Sequence, residues 1–190
     1  RLLAAGYAVH GYDISSERNA HLTSIGGVAC TSASEVTRMC DTVVLAVFNT
    51  GQVESLFEGA SGSSSAGFTN KHLVICTSTC DPDRIEVLAK RETMNNGVRF
   101  LECPLSGNSD QIAKGNGIAL VGGERADFDA AQPVLNALCK QSHFLGSAGS
   151  GGRAKLAVNL VGGLNRAVLG EGLAFAESMG LELKIGRAHV

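Results

Sequence analysis

The chain has 190 residues, 44% hydrophobic and 18% charged, with 16 basic against 18 acidic residues for a net charge of −2. That apolar fraction excludes an intrinsically disordered chain, and the lack of a short period excludes a collagen-like or coiled-coil rod. No basic stripe marks nucleic acid as a partner, and no apolar run approaches the roughly 20 residues of a membrane span, so no membrane partner is expected.

In chain order, Arg1-Leu2-Leu3-Ala4-Ala5-Gly6 reads as the last turns of a helix closed by glycine. One basic and four apolar residues are too few for a signal peptide, and an N-terminally incomplete chain is expected. Residues 8–13 predict a short strand, and 15–25 a helix stopped by Gly26-Gly27. Ser32 and Glu35 stand at capping-box spacing. The almost continuous apolar run 42–47 predicts a strand buried on both faces. A helix begins at Gln52, and the Gly/Ser-rich stretch 59–70 predicts a flexible surface loop.

The run 72–76 predicts the next buried strand. Asp81-Pro82 places a cap residue and then proline at the first position of a helix that ends near Asn95-Asn96-Gly97. Residues 98–103 form a further strand, 109–114 a short helix, 118–121 a strand before Gly122-Gly123, and 142–145 a last strand. Residues 127–138 are helical, with Pro133 expected to kink the helix or to begin its second half. A long helix is expected over 152–179, with Gly180 as its stop. The final hexapeptide, Ile185-Gly186-Arg187-Ala188-His189-Val190, reads as a translated adaptor tail that is not native.

The β–α alternation predicts an α/β fold: a doubly wound parallel sheet with helices on both faces. Apolar residues are spread around much of the long final helix, which therefore expects burial by other helices. It is read as the first helix of an all-α domain. Six cysteines (Cys30, Cys40, Cys76, Cys80, Cys103, Cys139) form no CxxC pair and have no histidine at ligand spacing, so no metal site is expected. They are read as free, largely buried thiols of a reducing, intracellular compartment, cytoplasmic or organellar matrix.

Three features point to chemistry. Asp13 ends the first strand, where an acid of a dinucleotide fold accepts hydrogen bonds from the adenosine ribose and repels a 2′-phosphate; a plain turn-starting aspartate is the alternative. Lys155 and Asn159 project from one face of the long helix, after Gly149, Gly151 and Gly152. An ammonium near a helix start opposes the dipole, and in a dry pocket its pKa falls until it exchanges protons near neutrality. The turn Ser106-Gly107-Asn108, after Pro104, offers N–H groups and a hydroxyl to a carboxylate.

Together these motifs resemble the β-hydroxyacid dehydrogenases, the group of 3-hydroxyisobutyrate dehydrogenase and tartronate semialdehyde reductase. The segments that carry the resemblance are Cys103-Pro104-Leu105-Ser106-Gly107, Leu120-Val121-Gly122-Gly123, Gly149 through Asn159, and Glu171 through Leu181. The resemblance implies a Rossmann-like dinucleotide-binding domain over 1–148 without its first strand and glycine loop. It implies the start of an all-α domain over 149–184, and leaves the tail 185–190 outside. It implies hydride transfer between NAD, in preference to NADP, and a small 3-hydroxy acid, with Lys155 as catalytic general acid/base. Ser106, Gly107, Asn108 and Asn159 would bind substrate, and Asp13, Val47, Phe48, Ser78 and Thr79 the cofactor. The intact protein would be a homo-oligomer.

Four positions depart from the family pattern: Cys76 where Asp is common, Asn108 for a second glycine, Val158 for an asparagine, and Phe48-Asn49 for Leu-Pro. They leave open a dehydrogenase of a larger or phosphorylated sugar acid, threonate- or 6-phosphogluconate-like, and a non-catalytic NAD-binding relative.

Overall fold

A computed structural model describes residues 1–58 and 66–182. Most of the expected flexible loop and the whole expected adaptor tail lie outside the described residues. The chain divides into two compact units, Arg1–Lys155 and a second that starts at Leu156.

The first unit opens with a 3-10 turn, Leu3–Ala5, closed by Gly6 in the left-handed region at φ 86°. Then follow β1 (His10–Gly11), α1 (Ser16–Ser24), β2 (Val28–Ala29), α2 (Ala33–Met39), β3 (Thr42–Leu45) and α3 (Thr50–Phe57). The chain continues through β4 (Leu73–Cys76), α4 (Pro82–Asn96), β5 (Arg99–Glu102), β6 (Leu105–Ser106), α5 (Ser109–Ala113), β7 (Ile118–Gly123), α6 (Arg125–Leu138), β8 (Gln141–Phe144) and α7 (Ser150–Ser178). The two-residue strands β2 and β6 carry too little periodic signal to be read from the sequence.

Caps explain most helix starts. Ser15, Ser32 and Asn49 each accept the backbone N–H three residues on, at Arg18, Glu35 and Gln52. The capping box expected at Ser32 forms only by half. Glu35 reaches past Ser32 to accept the Thr31 N–H and hydroxyl, both at 2.7 Å. Asp81 accepts from the Asp83 and Arg84 amides ahead of α4. α6 runs unbroken through Pro133.

Strands β3, β4 and β5 pair in parallel, as expected of a doubly wound sheet. The other half is mixed: β7 runs antiparallel to β5 and β6 and parallel to β8. β1 and β2 form a separate parallel pair. β3 departs from the expected strand buried on both faces. Val43 and Leu45 are buried, but Val44 is half-buried and Thr42 exposed, because among the described residues only β4 pairs with β3.

β4 is buried throughout and alternates between two cores. Val74 and Cys76 join Val53, Phe57, Ile85, Leu88 and Phe100 on the α3/α4 face. Leu73 and Ile75 join Leu101, Val121, Phe128 and Leu135 on the α6 face. Phe57 stacks on Phe68 at 4.6 Å and meets Phe100 edge-on at 5.8 Å. All six cysteines are free; five are buried and Cys40 half-buried. No described helix is long and apolar enough to cross a membrane.

The second unit continues α7 to Ser178, and Gly180 takes a left-handed φ of 76°. Leu160, Leu164, Val168 and Phe175 along it are exposed.

Ile75, fully buried at the centre of β4, tests the packing. Ile75→Ala is expected to lower unfolding stability by about 2–5 kcal/mol. Urea unfolding of the full-length protein would show this as a lower midpoint at unchanged slope; an unchanged midpoint would remove β4 from the core.

Candidate active site

A cavity of about 1360 Å³ runs along β1 and β3 and opens at the loops that follow β1, β3 and β4, and Asp13, Val47, Phe48, Ser78 and Thr79, at that open end, all line it. The location is the one that open α/β sheets use for ligands. Asp13 lies two residues past the end of β1 rather than within the strand. Its backbone is fixed by Asn19, which accepts the Asp13 N–H at 2.9 Å and donates to its carbonyl at 2.7 Å. Its Oδ1 accepts the Ser15 N–H at 2.9 Å. Its Oδ2 has only a 3.9 Å contact with Arg18, which is itself mostly exposed.

Ser78 is buried, and its hydroxyl donates to the Val47 carbonyl at 2.7 Å. Thr77 does the same to the Leu45 carbonyl at 2.8 Å. These two bonds tie the loop after β4 to the end of β3 and so shape the cavity floor. Phe48 is 89% exposed, and its N–H donates to Gln52 at 2.7 Å.

Within the first unit, Lys155 and the 105–108 turn form a second cluster that does not line this cavity. Lys155 is only 8% exposed, and its Nζ donates to the Leu105 carbonyl at 2.7 Å. Burial pushes its pKa below that of an ordinary lysine. This contact sets the amine against the turn expected to hold an anion. Gly107 there has a φ of 141°, which glycine alone adopts without strain. Asn108 is the N-cap of α5: its side chain accepts from the Gln111 N–H at 2.8 Å, and its own N–H donates to the Gln111 side chain at 2.9 Å. Asn159 is exposed and belongs to the second unit. No group of three or more His, Cys, Asp or Glu side chains that could hold a metal occurs among the described residues.

One residue was missed. Glu102, at the end of β5, is 1% exposed, and its Oε2 accepts the Gly149 N–H at 2.8 Å. Burial raises its pKa, opposed by the amides of Gly152, Gly149 and Gly151. The signal was available as a lone acid in the apolar run Phe100-Leu101-Glu102-Cys103.

The capping box makes Asn108 testable apart from chemistry. Asn108→Ala is expected to lower stability by about 1 kcal/mol, read in equilibrium unfolding. Unchanged stability with weaker substrate binding would instead assign Asn108 to the ligand.

Residues 1–149 match the family of the NAD binding domain of 6-phosphogluconate dehydrogenase. The chain is 33% identical to L-threonate dehydrogenase of Cupriavidus necator over 186 residues, 97% of this chain and 60% of that protein. It is 29% identical to 2-hydroxy-3-oxopropionate reductase of Escherichia coli, over 95% of this chain and 61% of that protein. Mycobacterium tuberculosis 3-hydroxyisobutyrate dehydrogenase, solved with L-serine, superposes with a TM-score of 0.85 at 24% identity, over 95% of this chain and 60% of that one. The chain thus spans about 60% of the length of these two relatives. It belongs to the family of the NAD binding domain of 6-phosphogluconate dehydrogenase, and its relatives include the β-hydroxyacid dehydrogenases that its motifs resemble.

Proposed function

We propose that the protein is an oxidoreductase that transfers a hydride between NAD and a small 3-hydroxy acid, with Lys155 as general acid/base. The observation that carries this reading is the buried Lys155 amine, hydrogen-bonded at 2.7 Å to Leu105 beside the Ser106-Gly107 turn. A lysine whose pKa burial lowers gives up its proton more readily than an ordinary lysine, which suits it to general acid/base work.

The cavity residues fit a dinucleotide. Asp13 offers Oδ2 to ribose hydroxyls, Ser78 fixes the cavity floor, and Val47 and Phe48 supply apolar wall. Bound NAD would supply the hydride acceptor. In this proposal Ser106 and Gly107 hold the substrate carboxylate, with Asn108 at the turn's end and Asn159 a further substrate contact. The substrate O–H proton passes to Lys155 Nζ as the C–H bond breaks with its electron pair leaving as hydride, and Lys155 returns the proton in reduction. The space between β1 and β3 is part of the same cavity, and we place there a further strand preceding Arg1, with its glycine loop.

The similarity to L-threonate dehydrogenase favours a sugar acid as a second substrate class. For the intact protein we propose a homo-oligomer, given the exposed apolar residues of the second unit, and a reducing compartment, given six free thiols.

Proton transfer of this kind contributes roughly 10²–10⁴-fold, so Lys155→Ala in the full-length protein should lower kcat by about that much. Oxidation needs the neutral amine and reduction the ammonium. Oxidation should therefore rise with pH, at a lower pH than an ordinary lysine would give, while reduction falls. The measurement is initial rate against pH with L-threonate and 3-hydroxyisobutyrate. Equal rates in the variant would remove Lys155 from the mechanism, and NAD binding without turnover of any hydroxy acid would favour a non-catalytic relative.

Asp13→Asn should narrow the preference for NAD over NADP by about tenfold, read as the ratio of kcat/KM values. An unchanged ratio would place the ribose elsewhere.

A further inference from the structure

We propose that Glu102 is a positioning residue for the Lys155 amine: its buried carboxylate, facing the amides that open α7, fixes the helix start so that Lys155 meets the Leu105 carbonyl. The proposal rests on the reading of Lys155 as the proton-transfer group.

The space around Glu102 is built for a carboxylate. A Cβ added at Gly152 would lie 2.5 Å from Oε1, one at Gly151 3.2 Å from Oε2, and one at Gly122 3.1 Å from Oε2. Gly152 is the glycine that makes room for the acid; at Gly151 and Gly122 a Cβ would meet the Leu120 and Ser147 carbonyls first. Gly149 donates to Oε2, while buried Oε1 faces Gly152 without a well-formed hydrogen bond among the described residues. Burying a carboxylate with one oxygen unpaired costs free energy, and an apolar side chain would serve the strand end better. What favours the acid is its place at a helix N-terminus, where free amides and the dipole attract negative charge.

The two anchors are three residues apart on one strand-and-turn segment. Glu102 holds the amides at the start of α7, and the Leu105 carbonyl holds the amine of Lys155, less than two turns further on. If the first anchor moves, the second loses its geometry. Arg153 lies between them in sequence, but its guanidinium is committed to Asp83 at 2.7 Å and Glu86 at 2.8 Å. The other titratable groups that interact with Glu102 are the thiols of Cys80 and Cys103.

Glutamine in place of Glu102 keeps the shape and one acceptor for the Gly149 N–H, but removes the negative charge and sets an NH₂ against the amides that open α7, so the grip on α7 is weakened. In the full-length protein with NAD and L-threonate or 3-hydroxyisobutyrate, whichever turns over faster, Glu102→Gln is expected to lower kcat about 10–100-fold. The KM for NAD should stay within about threefold, and the pH at which the rate is half-maximal should shift. Glu102→Asp, which keeps the charge on a shorter arm, should recover part of kcat and move the pH profile back. It also serves as the variant of record should Glu102→Gln not fold, its own kcat and pH profile then being expected to lie displaced from wild type. Wild-type kcat and pH profile in the folded variant, or a lower melting temperature with kcat per folded molecule and pH profile unchanged, would overturn the proposal. With Lys155→Ala inactive, either result overturns this proposal alone. Turnover retained in Lys155→Ala would overturn the reading beneath it as well.

Discussion

The bond from the Gly149 amide to the Glu102 carboxylate ties the start of α7 to the sheet of the first unit. Glu102 sits where β5 leaves the sheet, between β4 on one side and β7 on the other. Its position is therefore set by two ladders and by the core that Leu101, Ile75 and Val121 share. A helix start is ordinarily satisfied by its own preceding residue. Here the Gly149 amide takes its acceptor from a strand 47 residues upstream. The helix inherits the rigidity of the sheet, and Arg153 reinforces it by spanning to Asp83 and Glu86 on α4. Those exposed ion pairs are worth little individually. The buried contact joins the helix start directly to the end of β5.

Topology divides the labour between the two clusters of site residues. Parallel strands end on the same side, so β3 and β4 deliver Val47, Phe48, Ser78 and Thr79 to one cavity. The antiparallel excursion through β6 and β7 does something else. It folds the 105–108 turn back, where the Leu105 carbonyl can meet Lys155. A wholly parallel sheet would have sent the chain from β5 directly into a crossover, with no such turn available. The mixed half of the sheet and the position of the amine are thus two views of one choice of chain path.

The sequence was legible where one local rule decided the outcome. Ser15, Ser32 and Asp81 cap helices through contacts within three residues of chain, and β4 reads as buried because every residue in it is apolar. It was less legible where a distant partner decides. β2 exists only because β1 lies beside it. Val44 belongs to an apolar run yet borders the cavity, which depends on the neighbour of β3 and not on the residue. Lys155, Ser106 and Asp13 stood out as chemistry in unusual places. Glu102 did not, because its role appears only when Gly149, Gly151 and Gly152 are brought to it across 47 residues or more of chain.

The departures from the family pattern separate on the same physical ground. At Gly107 the backbone demands glycine, and glycine is retained. At Asn108 the backbone is extended, with φ −80° and ψ 171°, so any residue fits there. An asparagine gains what glycine could not, a reciprocal cap with Gln111 that anchors the turn from its far end. The asparagine that departs from the family pattern thus stiffens the turn that carries Ser106. Cys76, buried at the end of β4, likewise joins the core with Val74 and Phe100 and does not line the cavity. Two of the four departures thus fall on structural positions. They leave in place the backbone turn beside Lys155, with the Leu105 carbonyl on the amine.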